Sequence, residues 1–506
     1  MHPALNVVEI QRNIFNFLDP RLTSCHQDDL QDDLDPEVSY RHLSVLARTC
    51  RSFSDQALDN LWHTQESLGP LLLCLSEEIV DRSDDEDGFK IYITLKAVPT
   101  VEDWARTRKY ATRIRRIDRN ISLSTRYIVD HESLLKLQTV SHVSGLMLSP
   151  QYLDHNALFG FENMWDVAEW LLCMQIFHRS LFTFKMARCH RLHAGGESRV
   201  IETFFNALVS QSPDLQCVNI QVPEQSSGKV LSCLSRLSKL RRLQLQGLSS
   251  EPLPLTLSEN SFGSLHRLSL AGRTTQMIDV IGAIQSKKLE YFSCFFKEDD
   301  PEPVLLAVQS KPAWRVSLKD ILIGRWALSR GTPVQVLSVR ILLSFPNLRR
   351  IHGYFLGITL DDVVLKDLAR GLPHLEVLSF TAVQSISSSD SHVTLRGLVP
   401  FAVHCPQLSV LGFGVPIDGT SIPELPTDST LGLVGSHGEQ SKQQLVFATF
   451  GRSTLLDAGA VASFLLALFQ RWSLKIKVYP EGGECQWAAV SDLVAQRHAS
   501  ESLSDS

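Results

Sequence analysis

The sequence predicts an α/β protein: a small all-α module of three helices, then an irregular solenoid with parallel strands on one face and helices on the other. Three observations lead there. A strand pattern, Leu-x-x-Leu-x-Leu, recurs at a nearly fixed interval. The segments between copies have helical spacing, and several end at a proline. The first 65 residues lack that pattern and read as amphipathic helices.

At 506 residues the chain exceeds one ordinary compact core. It therefore needs several domains or a solenoid, which grows without a central core. Hydrophobic residues make up 44% and charged residues 21%, the balance of a folded soluble protein. A net charge of −6 argues against a dedicated nucleic-acid binder, which needs a basic footprint. The first residues carry no basic region ahead of an apolar run, and Glu9 and Arg12 interrupt them, so no signal peptide is expected. The most apolar stretch, Val461 to Phe469, is too short to cross a bilayer. The 10 cysteines are scattered without a C-x-x-C pair, which suggests reduced thiols in cytosol or nucleus. The expected layout is residues 1–65 for the helical module and 66–100 for a linker with an acidic loop. Residues 101–480 then form the solenoid, and 481–506 a C-terminal helix and tail.

The first helix is expected over Leu5–Leu18. Val7, Ile10, Ile14 and Phe17 fall on one stripe, with Val8, Phe15 and Leu18 beside it. This apolar arc covers about half the circumference, wider than the roughly 100° a surface helix needs for its own core. A small module with surplus apolar arc is expected to bury it on a partner. The acidic segment Asp19 to Glu37 reads as an exposed loop, and Asp35-Pro36 suits an N-cap and first helical position. The second helix carries Tyr40, Leu43, Ala47 and Cys50 at helical spacing, with Leu46 adjoining. A short third helix is expected over Ala57–Trp62, with Ala57, Leu58, Leu61 and Trp62 on one face. Ser83-Asp84-Asp85-Glu86-Asp87-Gly88 reads as a solvated acidic loop.

Leu5, Glu9-Ile10, Ile14-Phe15 and Leu18 are followed by Leu43-Ser44-Val45-Leu46-Ala47, Cys50-Arg51-Ser52-Phe53 and Leu61-Trp62. As a set, this resembles the F-box of the kind common in fungal proteins. It departs from that pattern in lacking the early proline and in the length of the first loop. The resemblance implies docking on a Skp-type adaptor, and through it on a cullin scaffold. The docking residues would be Leu5, Val8, Ile10, Ile14, Phe15, Leu18, Leu43, Leu46, Ala47, Cys50, Phe53, Leu61 and Trp62.

The clearest strand copies begin at Leu215, Leu240, Leu265 and Leu289, spaced 25, 25 and 24 residues apart. Others begin at Leu348, Leu375 and Leu408, and weaker ones at Ile114, Val143, Leu181 and Ala313. Between them, Val200-Ile201, Phe204-Phe205 and Leu208-Val209 repeat with a helical period. Thr359 offers an N-cap and Gly371 a stop for another helix. Pro213, Pro346, Pro373 and Pro406 each stand two residues before a strand leucine, where a proline ends the helix without an unpaired amide. Val461 to Phe469 and Trp487 to Val490 are expected to cap the open end. Over roughly residues 110–480 the pattern resembles leucine-rich repeats, though Leu248, Arg273, Lys297 and Val383 stand where an asparagine ladder would run. A mixed α/β domain with several chance copies is the competing reading.

Nothing in the sequence forms a convincing catalytic constellation. Ser436, in Val434-Gly435-Ser436-His437-Gly438, lacks the first glycine of a nucleophile elbow. Cys189-His190 and His193 have no second pair at zinc spacing. No cofactor, metal or membrane partner is expected. The residues between the strand leucines are expected to line the open sheet face. They include Arg115, Arg116, Arg241, Arg242, His266, Arg267, Arg349, Arg350 and His352, with Glu290 and Glu376 among them. Arginine's planar fork suits carboxylate and phosphate, so an acidic or phosphorylated protein segment is the expected partner of that face. Ordinary exposed-strand arginines are the plainer alternative. The resemblances together imply a non-catalytic substrate receptor of a cullin-based ubiquitin ligase. A repeat scaffold capped by its helices, outside that pathway, and a cryptic hydrolase at Ser436 are the alternatives.

Overall fold

The computed structural model describes residues 13–15, 36–49, 51–85, 90–118, 126–130, 132–133, 136–137, 148–154, 173, 176–186, 198–222, 226–248, 253, 261–296, 300–325, 336–337, 339–358, 360–382, 393–413, 417–424, 443–450, 455–470, 472–479 and 486–504. They fall in two units, Met1–Leu243 and Gln244–Ser506.

In the first unit, Pro36 opens helix α1, Pro36–Thr49, where its missing amide leaves no intrahelical bond unmade. Helix α2, Arg51–His63, follows. It begins six residues before the expected short helix, because Arg51–Gln56 continue the same turn. Phe15, Leu43 and Ala57 form a small core, and Leu46, Ala47, Phe53 and Leu61 pack against it. The Phe15 and Phe53 rings meet edge to face at 5.9 Å. Asn13–Phe15 are helical, while the rest of the expected first helix and the acidic segment Asp19–Asp35 lie outside the described residues.

Helix α2 leads straight into strand β1, Thr64–Gln65. Trp62, near the end of α2, stacks on Tyr110 at 4.7 Å. Residues 66–100, expected as a linker, hold regular elements: helix α3, Gly69–Leu72, and the antiparallel strands β2, Val80–Asp84, and β3, Lys90–Leu95. Leu68, Leu71, Leu72, Leu75, Ile91, Ile93 and Leu95 are buried there. Ser83 and Asp84, read as loop, are exposed strand residues aligned with Tyr92 and Ile91. Backbone pairing decides their conformation despite their polarity. The end of the acidic run lies outside the described residues.

Helix α4, Val101–Ala111, starts at a reciprocal capping box between Thr100 and Asp103. Tyr110 is on this helix, and Arg113 just beyond it pairs with Asp55 and Asp59 of α2. Strand β4, Arg116–Ile117, pairs in parallel with β1. Strand β5, Arg126–Val129, joins β3. The parallel series continues through β6, Tyr152–Asp154, β7, Thr183–Met186, and β8, Cys217–Gln221. Helix α5, Ser198–Gln211, lies between β7 and β8, and α6, Ser227–Leu234, follows β8. The division between units falls inside β9, Arg242–Leu248.

The second unit repeats the same plan more regularly. Its parallel strands are β10, Arg267–Gly272, β11, Tyr291–Phe296, and β12, Asp320–Arg325, then β14, Arg350–Ile358, and β15, Val377–Ala382. Strands β17, Val410–Phe413, β19, Gln443–Phe450, and β20, Trp472–Tyr479, complete the series. Neighbours in this order pair in parallel. The short β13, Val336–Leu337, adds to β14, and β16, Val393–Thr394, pairs with β18, Ile417–Asp418. Helices α7, Thr274–Ala283, α8, Glu302–Gln309, α9, Pro312–Ser317, α10, Asp362–Gly371, and α11, Val399–His404, connect strands. Helix α12, Ala458–Leu468, joins β19 to β20, and α13, Gln486–Ser504, follows the last strand.

Register shows why the pattern repeats. Leu265, Leu289, Leu318, Leu348, Leu375 and Leu408 form one fully buried ladder, and Leu268, Phe292, Ile321, Ile351, Leu378 and Leu411 a second. Each such side chain contributes about 1.5–3 kcal/mol by leaving water. The prolines act as expected: Leu215, Leu348, Leu375 and Leu408 each donate an amide to the carbonyl three residues back, so proline takes the second place of a β-turn.

The copy placed at Ala313 begins at Leu318. Ala313 lies inside α9, where Pro312 starts a turn that buries Trp314. The cap of α10 is Asp361, whose carboxylate accepts from the Val364 amide, and not Thr359, which lies outside the described residues. The run Val461–Phe469 is not terminal, because β20 follows it and pairs with β19. Trp487, Val490 and Val494 of α13 are buried, so α13 covers the apolar end. The weak copy at Val143 lies outside the described residues.

Candidate binding surface

Repetition fixes where the predicted residues stand. In most repeats the residue after the first leucine lies just before the strand, and its carbonyl accepts two amides from the next repeat. Arg349 and Arg350 both donate to Lys319 O, at 2.6 and 3.1 Å, and Glu376 and Val377 both donate to Arg349 O. Strands therefore start one residue later than the leucine spacing suggests. Arg116, Arg242, Arg267, Arg350 and His352 are strand residues, whereas Arg115, Arg241, His266 and Arg349 stand at the strand entry edge. Arg115, Arg116, Arg241 and Arg242 belong to the first unit, and the other five to the second.

In the first unit, Arg116 pairs with the buried Asp118 and lies over the Tyr152 ring at 4.0 Å. Lys185 is 5.2 Å from the same ring. Burial pushes the Tyr152 hydroxyl far above its ordinary range, and the nearby carboxylates Asp118 and Asp154 add to this. Arg115 donates to Ser149 Oγ at 3.2 Å. Burial also raises the Cys217 thiol, against the opposing pull of Arg242. Arg241 and Arg242 are exposed.

In the second unit the entry-edge row runs His266, Glu290, Lys319, Arg349, Glu376. Glu376 accepts from Arg349 at 3.2 Å and from Arg350 at 3.3 Å. Lys319 and Glu290 pair at 2.8 Å, and that hydrogen bond holds the Glu290 carboxyl below its usual range. The next row runs Arg267, Tyr291, Asp320, Arg350. Burial raises the Asp320 carboxyl despite Arg350 and Arg267. The Arg267 guanidinium is 5.5 Å from the Tyr291 ring. His352 stacks parallel to Tyr354 at 6.1 Å, and burial lowers its pKa. The arginine face is thus interleaved with acids, and its local positive field is weaker than residue counting suggests.

A groove opens at the strand entry edge of this unit. Its cations are Lys287, Lys288, Lys319 and Arg349, with His266 and His374 at its ends and Glu290, Val316, Ser317 and Asn347 between. The pattern reading missed most of these. Lys287 and Lys288 stand just ahead of Leu289, outside the leucine frame. Lys319 falls outside the strand frame of a copy that begins at Ala313. The Lys-Lys pair before Leu289 was the available signal.

On the helical module, Phe15, Leu43 and Trp62 are buried. Ile14, Leu46, Ala47, Phe53 and Leu61 are partly exposed. Leu5, Val8, Ile10, Leu18 and Cys50 lie outside the described residues, as do Ser436, Cys189, His190 and His193. Val45, on α1, is 63% exposed. Among the described residues, no group of three His, Cys, Asp or Glu is placed to hold a metal ion. Among them also, no helix is long and apolar enough to cross a membrane.

The fold defines an α/β repeat protein built on parallel strands. No protein-family model matches the chain, and no curated protein matches it. Among solved structures, a leucine-rich-repeat protein of Leptospira interrogans aligns at 11% identity and a TM-score of 0.30, covering 66% of this chain and 80% of that one.

Proposed function

We propose that this protein is a non-catalytic substrate receptor of a cullin-based ubiquitin ligase. The helical module binds a Skp-type adaptor, and the leucine-rich-repeat-like arrays hold a target protein. Such a receptor raises the effective concentration of target lysines at a charged conjugating enzyme. The supporting observation is the F-box-like residue set on α1 and α2, which leaves Val45 exposed and Leu46, Ala47, Phe53 and Leu61 only partly buried. Cytosol or nucleus is the corresponding location.

A second reading has its own observation. Helix α2 runs directly into β1, which pairs with β4, and Trp62 stacks on Tyr110. A repeat scaffold whose helices close the first array needs the same features. Capture of a purified Skp-type adaptor by the full chain separates the two. The receptor reading expects capture by wild type and its loss in Val45→Asp, with thermal stability unchanged because Val45 is outside the core. A folded wild-type chain that ignores the adaptor favours the scaffold. Trp62→Ala is a poor probe, since it opens a cavity in the module.

A further inference from the structure

We infer that the entry-edge groove of the second unit seats an extended, carboxylate-rich segment of a partner protein, with the lysines, more than the arginines, supplying the charge. This rests on the reading of the repeats as a partner-binding surface. The groove runs across the repeats from His266, ahead of β10, to His374, ahead of β15. Four interstrand steps of about 4.8 Å make a span of about 19 Å, the length of roughly six extended residues.

Charge selects the occupant. Lys287 and Lys288 are exposed and form no ion pair among the described residues. Lys319 and Arg349 follow in the next two repeats, and Glu290, paired to Lys319, is the one carboxylate that lines the groove among the described residues. The surplus is positive in a chain of net charge −6. The wall is fixed: Asn347 Nδ2 donates to Val316 O at 2.7 Å and Ser317 Oγ to Leu289 O at 2.6 Å. Val316, 64% exposed, offers an apolar contact between the charges.

The same geometry favours carboxylates over phosphate. Bidentate phosphate recognition uses an open arginine fork, and the groove's arginine, Arg349, is engaged by Glu376. The uncommitted cations are lysines, compact point charges on flexible stems, which suit carboxylates spaced along a strand.

The test is fluorescence anisotropy of the full chain with a labelled ten-residue peptide of alternating glutamate and serine. Parallel arms use its phosphoserine counterpart with glutamate replaced by glutamine, and a single-stranded RNA of similar charge. Lys287→Glu/Lys288→Glu should weaken glutamate-peptide binding about tenfold at low salt, and the effect should fade toward 1 M salt, where the screening length is about 3 Å. Lys475→Glu/Lys477→Glu, the same charge change on exposed positions of β20, should alter it less than about twofold. Equal losses in both double variants would reduce the effect to net charge and overturn the inference. Tighter binding of phosphopeptide or RNA would overturn it too. Adaptor capture by the same preparation keeps the readings apart: capture without peptide binding sinks the groove alone, and peptide binding without capture sinks the ligase reading alone.

Discussion

Replacing Gly272 with alanine places a methyl group where the neighbouring strand already stands. Gly272 ends β10 at φ +145°, and a Cβ there would lie 2.3 Å from Leu248 O and 2.5 Å from Leu248 N. Both contacts are backbone, so no side chain can swing away. That φ region is essentially glycine's own, and holding another residue there costs about 1–3 kcal/mol before any clash. Separating the strands by about 1 Å disturbs the bond from Arg273 N to Leu248 O, 2.8 Å long, worth about 1 kcal/mol. A loss of about 3 kcal/mol is expected. Gly282 supplies the matched control. It sits in the last turn of α7, and a Cβ there would meet nothing within 4 Å. Gly282→Ala should stabilise by about 0.4–1 kcal/mol, through the helix and the less flexible unfolded chain. At about 2–4 °C per kcal/mol, calorimetry should place the second unit's transition roughly 6–12 °C lower for Gly272→Ala and slightly higher for Gly282→Ala. Equal transition temperatures for the two variants would refute the reasoning.

Trp314 is 1% exposed and donates from Nε1 to Ser286 O at 2.6 Å. Trp314→Phe strands that carbonyl and should cost about 1–3 kcal/mol beyond the lost ring area, read by urea denaturation against Trp472→Phe. His352 and His404 both have pKa values below the ordinary 6.5, with burial the leading cause. The unfolded chain then binds their protons first, so this stability is present above about pH 6.5 and is lost as pH falls toward the folded values. Asp320, raised by burial, acts in the opposite sense: its contribution is present below the ordinary carboxylate pKa and is lost as pH rises through its folded value. Urea midpoints should fall between pH 7.5 and 5.5, and His352→Gln should flatten that slope. A slope unchanged by the substitution would remove His352 from the account.

Leucine period, proline placement and helical spacing were enough to foresee parallel strands alternating with helices, because burial acts on residue type and each repeat buries its own row. Leu215, Leu240, Leu265, Leu289, Leu348, Leu375 and Leu408 all head buried ladders. Where composition drifted, the frame was lost: Leu318 was passed over for Ala313, and Gln443–Phe450 and Trp472–Tyr479 carry strands without the leucine spacing. The linker reading of residues 66–100 failed for a related reason. Polar Ser83 and acidic Asp84 look like loop, but pairing with β3 is a long-range backbone interaction that local composition cannot register.

Residue order alone specifies the repeat, the identity of its buried rows, the helical character of the first module and the concentration of arginines between the leucines. Which of those charges are paired depends on how the repeats stack. Ion pairing depends on residues one repeat away: Glu376 reaches Arg349 and Arg350, 26–27 residues back in the chain, because stacking brings consecutive entry edges within one strand spacing. For the same reason the candidate groove gathers Lys288, Lys319 and Arg349 from three separate turns of the chain, and no window of sequence holds them together.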